Sequence, residues 1–199
     1  MSTAPDTAPG TAVGLDLRTD VHSEASAGRH AAQTARHPNP ESILSNPGVQ
    51  RVITALAAAQ IATEIIVHAE PTHSSQAAAD VLGINVAQIA KSIIFRAKTS
   101  DRVVLVITSG ANRISEKLVM AQIGEAIGKA DAAFVKERTG FTIGGVAPLG
   151  HLTAPIALFD ETLLQFDQVF PAAGHPNTGF SVAPATLAQA AGAVICGVV

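Results

Sequence analysis

Residues 144–151 read Gly-Gly-Val-Ala-Pro-Leu-Gly-His. Three glycines and a proline in eight positions exclude an ordinary helix and a central strand there. Glycine admits positive φ and close backbone approach, and proline fixes φ near −65° while removing an N–H. The segment is therefore an irregular, stiff loop. Two readings of it stay open on these residues alone. It is a tight turn between two elements, or it presents a row of backbone amides to a phosphate, a carboxylate or a developing oxyanion.

Around this loop the chain reads as one domain behind a tail. Residues 1–40 are rich in Ala, Thr, Ser, Pro and His without a sustained period, the pattern of a disordered segment. The folded part, expected over 45–199, begins where Asn46 caps a helix with Pro47 at its first position. Val49, Val52, Ile53 and Leu56 then recur at helical spacing. Residues 64–68 read as a short strand. Ser74 or Ser75 caps a helix ended by Gly83, and 85–90 form one further turn.

Residues 92–95 and 103–108 are β-branched, apolar runs, expected to be strands buried on both faces with a turn at 98–101. Ser115 and Asp131 cap two helices ended by Gly124 and Gly140. After the Gly/Pro loop come strands at 155–159 and 178–182, a turn at 160–161, a helix from Pro184 to Gly192 and a last strand over 193–199. Hairpin-like and crossover connections alternate irregularly. The fold class is thus mixed α/β (α+β) and not a regular doubly wound sheet.

Composition narrows the function. The chain has 47% hydrophobic residues but no Trp or Tyr, so its core is mostly Ala, Val, Ile and Leu. No apolar run approaches the roughly 18–20 residues of a membrane span, and no leader pattern is visible, so a cytoplasmic protein is expected. Net charge is −3, which argues against coating DNA. Residues 91–138 nevertheless hold nine basic and five acidic residues, a local +4. Either this is a surface for one anionic ligand, or it is a set of solvated faces.

Lone Cys196 sits in an apolar tail and reads as core rather than as a nucleophile. His22, His30, His37, His68 and His73 lack metal-ligand company, so no metal site and no cofactor is expected. Nucleotide-binding loops, serine elbows and paired-His helices are absent from the sequence. Lys91 stands at the entrance of an apolar strand, as a surface boundary or as a placed cation.

The order of several segments carries a resemblance. Ile89-Ala90-Lys91-Ser92-Ile93-Ile94-Phe95 is followed by Val104-Leu105-Val106-Ile107-Thr108-Ser109-Gly110. Residues 139–151, then Leu158-Phe159-Asp160-Glu161-Thr162-Leu163 and Ala173-Gly174-His175-Pro176-Asn177-Thr178-Gly179-Phe180, complete the set. Over residues 48–199 this resembles the YbaK / prolyl-tRNA synthetase editing-domain family.

The resemblance implies a mixed, partly closed sheet flanked by helices. It also implies a free-standing hydrolase that deacylates mischarged aminoacyl-tRNA, typically tRNA(Pro). Water attacks the ester, aided by the ribose hydroxyl of the terminal adenosine, and no side-chain nucleophile is needed. By the same resemblance the loop Gly144-Gly145-Val146-Ala147-Pro148 holds the aminoacyl group through its amides. Lys91 contacts the 3′-terminal nucleotide or the ester carbonyl. Lys91, Gly144 and Gly145 are thus the catalytic candidates. Ser92, Ser109, Val146, Ala147, Pro148, Asp160, Gly174 and His175 are the substrate-binding candidates, with His151 an open case.

The implied partners are the acceptor end of aminoacyl-tRNA and, as a further candidate, prolyl-tRNA synthetase, with no membrane and no DNA. The alternative on the same residues is a non-catalytic aminoacyl-tRNA or nucleotide binding protein of the same fold.

Overall fold

The computed structural model describes residues 39–72 and 74–199. The expected tail, apart from Asn39 and Pro40, lies outside the described residues, as does His73. A short helix not anticipated from sequence, α1 (Pro40–Leu44), comes first, with Asn39 accepting the Glu41 N–H at 3.0 Å. Then α2 (Pro47–Ala58) starts as expected, the Asn46 side chain accepting the Gly48 N–H at 2.8 Å. Strand β1 is Ile66–Val67, and α3 (Ser75–Leu82) is capped by Ser74 and stopped by Gly83 at φ 67°.

The turn foreseen at 85–90 closes earlier. Asn85 and Gln88 form a capping box around a single 3₁₀ turn, Val86–Gln88, and β2 (Ile89–Ala97) begins at once. Next come β3 (Val103–Ser109), α4 (Glu116–Ile123), β4 (Ile127–Lys129) and α5 (Ala132–Thr139). After the Gly/Pro loop follow β5 (Ile156–Asp160), β6 (Phe170–Pro171), β7 (Thr178–Gly179), α6 (Pro184–Ala190) and β8 (Val194–Cys196). Strands β4 and β6 were not foreseen. The strand expected at 178–182 shortens to two residues, with Val182 reduced to a single bridge to Val169.

The main sheet runs β4-β2-β3-β5-β8, with β6 added beside β2. β2 is antiparallel to β3 and β4 and parallel to β6, while β3, β5 and β8 run parallel. This is a mixed sheet with helices packed on it. β3 lies at its centre and is buried at every residue. Its alternate residues feed two cores: Leu105 and Ile107 join Val52, Leu56, Phe159 and Leu187 on one face. Val104 and Val106 join Val119, Ile127 and Leu158 on the other. Each such fully buried aliphatic side chain contributes about 1.5–3 kcal/mol.

β2 departs from the expected two-sided burial: residues 91–94 are only partly covered. Its outer edge pairs with β6 at Ile89 and Ala90 and with β4 from Phe95 to Ala97. Between those pairings it has no strand partner. A second, two-stranded sheet, β1 with β7, stands near this gap, with His68 following β1.

Candidate functional site

A pocket of about 440 Å³ opens along the uncovered stretch of β2. Lys91, Ser92 and Ile94 line one side, and Gly144 and Val146 of the Gly/Pro loop also face it. The turn containing Pro176 and strand β7 contribute further wall.

The loop owes its shape to its glycines and to what lies behind it. Gly144 sits at φ 91°, where a side chain is strained. A Cβ on Gly145 would lie 2.8 Å from the backbone of His175. The loop thus presses backbone to backbone on the 174–176 turn. Gly174 in turn abuts Gly48 at the start of α2, where a Cβ would come within 2.6 Å. Behind the loop, the His151 ring donates Nε2–H to Ala147 O at 2.9 Å and meets Phe141 edge-on. Arg51 donates Nε–H to Gly150 O at 3.1 Å and lies over the Phe141 ring.

The amides are not all available. Gly145 N–H is committed to Thr142 O at 3.0 Å. Gly144 and Val146, the two loop residues in the pocket wall, donate their N–H groups to no described residue. These two are the uncommitted loop amides beside the pocket, and the Gly145 amide serves the loop's own packing instead. Ala147 and Pro148 are buried and outside the wall, Ala147 offering its carbonyl to His151.

Lys91 lies opposite Thr108 in the β2–β3 register. Its Nζ donates to Asn112 O at 2.5 Å and to Gly110 O at 3.4 Å. Burial pulls the ammonium below its ordinary pKa, the Asp160 carboxylate opposes that, and Arg113 adds to the lowering.

Asp160, fully buried, stands outside the pocket wall. Its carboxylate accepts from Thr108 Oγ1 at 2.6 Å, Asn112 Nδ2 at 2.9 Å and Thr162 Oγ1 at 2.8 Å, and from the Thr162 and Ser109 amides. Burial alone would push this acid up, but the hydrogen bonds from Thr108, Asn112 and Thr162 outweigh it and hold the carboxyl below its usual value. Asp160 therefore fixes the 109–112 turn whose carbonyls grip Lys91. Ser109 is a brace of the same turn, donating Oγ–H to Ala87 O at 2.9 Å.

Of the residues singled out in sequence, Lys91, Ser92, Gly144 and Val146 come together at the pocket. Gly145, Ala147, Pro148, Ser109, Asp160 and Gly174 form the layer behind them. His175 also lies outside the wall. Its Nδ1 accepts the Asn177 N–H at 3.1 Å, and burial lowers its pKa. His151, with its pKa lowered to about 4 chiefly by burial, is a neutral clamp behind the loop. Cys196 is buried outside the pocket wall, and burial, Glu161 and Asp160 push its thiol up, in keeping with a core residue.

Sequence reasoning missed His68, Thr72 and Thr178, which line the pocket. His68 is buried and burial lowers its pKa. Its backbone pairs with Asn177, more than 100 positions away, a juxtaposition without local signal. Among the described residues no cluster of His, Cys, Asp or Glu is arranged to hold a metal ion, and no helix is long and apolar enough to cross a membrane.

Comparisons with known proteins converge on one family. The model of the aminoacyl-tRNA editing domain matches residues 69–190. The uncharacterized protein YwhH of Bacillus subtilis (strain 168) is 34% identical over 112 residues, which is 56% of this chain and 71% of that one. The crystal structure of a candidate trans-editing enzyme for prolyl tRNA synthetase superposes with a TM-score of 0.72 at 32% identity, covering 76% of this chain and 96% of its own. A structure from work on epitope backbone grafting onto scaffold proteins gives 0.72 at 30% identity, covering 77% and 97%.

Proposed function

The chain belongs to the aminoacyl-tRNA editing domain family, and from that premise we propose that it is a trans-editing hydrolase that deacylates mischarged aminoacyl-tRNA, with tRNA(Pro) as the carrier. The observation that carries this reading is the pairing of two unengaged loop amides, Gly144 and Val146, with the Lys91 strand along one pocket.

Hydrolysis of an aminoacyl ester builds negative charge on the carbonyl oxygen. Rigid amides aimed at that oxygen need no reorganisation, and losing one such donor costs about 3–4 kcal/mol in a hydrolase. In the proposed mechanism the ester carbonyl rests on the Gly144 and Val146 amides. Lys91 holds the 3′-terminal nucleotide, and water attacks with help from the neighbouring ribose hydroxyl. The water oxygen bonds to the carbonyl carbon, the ester C–O bond breaks, and the ribose oxygen leaves with a proton. The mechanism needs no side-chain nucleophile, in keeping with a pocket that, among the described residues, is lined by Lys91 and Ser92 but by no cysteine or carboxylate.

The test is deacylation of tRNA(Pro) and its near relatives charged separately with Ala, Cys, Ser, Thr and Pro. Wild type should release one or more non-proline amino acids. Lys91→Ala should slow that release by about 10²-fold, the scale of losing substrate positioning, while remaining folded. Full activity in a folded Lys91→Ala protein would remove the lysine from the mechanism. Turnover of none of the esters by wild type would leave the binding-protein alternative.

A further inference from the structure

The uncovered stretch of β2 is the least explained part of the pocket. β6 pairs with β2 up to Ala90 and β4 resumes at Phe95, so the wall at 91–94 is a strand edge without a neighbour. The direction of its backbone groups follows from the flanking bonds. Ala97 N–H donates to Arg102 O and Ile89 O accepts from Gly110 N–H, both toward β3. Lys98 N–H donates the other way, to Ala126 O beside β4. Odd-numbered residues thus address β3, and even-numbered ones, Ser92 and Ile94, turn their N–H and C=O outward into the gap.

The Ser92 side chain shares the orientation of the pocket core. It lies opposite Ile107, which belongs to the core cluster containing Val146 and Phe180. Its Oγ is buried and has no hydrogen-bond partner. Leaving a buried hydroxyl without a partner is unfavourable, so its retention in a pocket wall points to a ligand group that pairs with it.

A strand edge pairs with whatever offers a donor and an acceptor on one Cα. An aminoacyl ester offers such a donor in its α-amino group, while its carbonyl is taken by the Gly144 and Val146 amides of the proposed mechanism. We propose that the gap in β2 receives the α-amino group of the aminoacyl ester, which donates to Ser92 C=O and Ser92 Oγ. This inference rests on the deacylase reading and adds to it the α-amino group as a required recognition element. The peptide-like edge, and not the side-chain pocket, then orients the carbonyl toward the Gly144 and Val146 amides.

The experiment measures binding of 3′-alanylamino-3′-deoxyadenosine, a non-hydrolysable amide, and of its N-acetyl form, to the full chain and to Ser92→Ala. Wild type should bind the free amine at least tenfold more tightly than the N-acetyl compound. Ser92→Ala should weaken the free amine about three- to tenfold and leave the N-acetyl compound unchanged, because Oγ serves only the amino group. Its melting temperature should not fall, since the lost hydroxyl has no protein partner.

Binding of both compounds within threefold, an equal effect of Ser92→Ala on both, or binding of neither overturns the inference. Hydrolysis of alanyl-tRNA(Pro), measured in parallel, separates the two levels. Turnover with amine-independent binding sinks the strand-edge recognition alone. Amine-dependent binding without turnover of any ester sinks the deacylase reading alone.

Discussion

At the scale of single residues, the proposed chemistry rests on a cation and the buried acid that steadies it. Lys91 Nζ has its carbonyl partners on the 109–112 turn, and Asp160 holds that turn through Thr108, Ser109 and Asn112. Asp160→Asn keeps the shape but removes the charge, and it turns an acceptor into a donor opposite hydroxyls and amides. Each buried donor left unpaired costs about 1–3 kcal/mol, so the variant should melt lower. The more telling consequence concerns Lys91. The carboxylate favours its charged form, so without it the lysine loses its proton at lower pH. The alkaline limb of the kcat/KM profile should therefore move to lower pH in Asp160→Asn. A limb at the wild-type position, with only lower stability, would make Asp160 a scaffold residue and no more.

At the scale of elements, the loop and the strand gap define the site, and they differ in how much the sequence reveals. Gly145→Ala drives a Cβ to 2.8 Å from the His175 backbone, and backbone cannot swing aside as a long side chain does. Overpacking of this kind costs about 1–3 kcal/mol, and relief requires the loop to lift from the 174–176 turn. Gly144→Ala meets only Pro176, at 3.8 Å, but must hold φ near 91°, worth about 1–2 kcal/mol. Both variants should lower kcat/KM and melting temperature. Gly145→Ala should do so without having removed a free amide, since its own N–H already bonds Thr142 O. Full activity in Gly145→Ala would mean that the loop's seat on the turn does not matter.

The glycine content of this loop announced its rigidity in the sequence, as Asn46, Ser115 and Asp131 announced helix starts that the structure places there. The β2–β3 hairpin was visible in its two β-branched runs. What stayed hidden was the shape of the opposite wall. β4 and β6 span three and two residues, too short to show a period, yet they set where β2 is covered and where it is bare. The family resemblance also placed Asp160 among the substrate contacts. Its five hydrogen bonds, made to residues at 108–112 and at 162, turn it away from the pocket.

At the scale of the whole molecule, the seating of the loop against Phe141 and against Arg51 of α2 depends on one histidine staying neutral. His151 donates Nε2–H to Ala147 O, leaving Nδ1 buried without a partner, and Arg51 stands near enough to disfavour a second proton. Burial is the larger cause, and together they lower the pKa from 6.5 to about 4. The unfolded chain thus takes up this proton first as pH falls. The contribution to stability is complete above pH 6.5 and declines between 6.5 and about 4, by up to about 3 kcal/mol. His151→Gln keeps an N–H donor for Ala147 O but cannot titrate. Urea unfolding at pH 7.0 and 4.5 should show wild type losing more stability over that interval than His151→Gln, by roughly 1–3 kcal/mol. His68, His175 and the carboxylates are common to both proteins, so the difference isolates position 151. Parallel losses in the two proteins would mean that His151 is protonated, or released from Ala147, well above pH 4. Because the clamp sits behind the Gly144 and Val146 amides, the same experiment followed by kcat/KM links global stability to the site. Wild-type activity should fall with the folded fraction and not before it, since His151 is neutral in about nine of ten folded molecules even at pH 5.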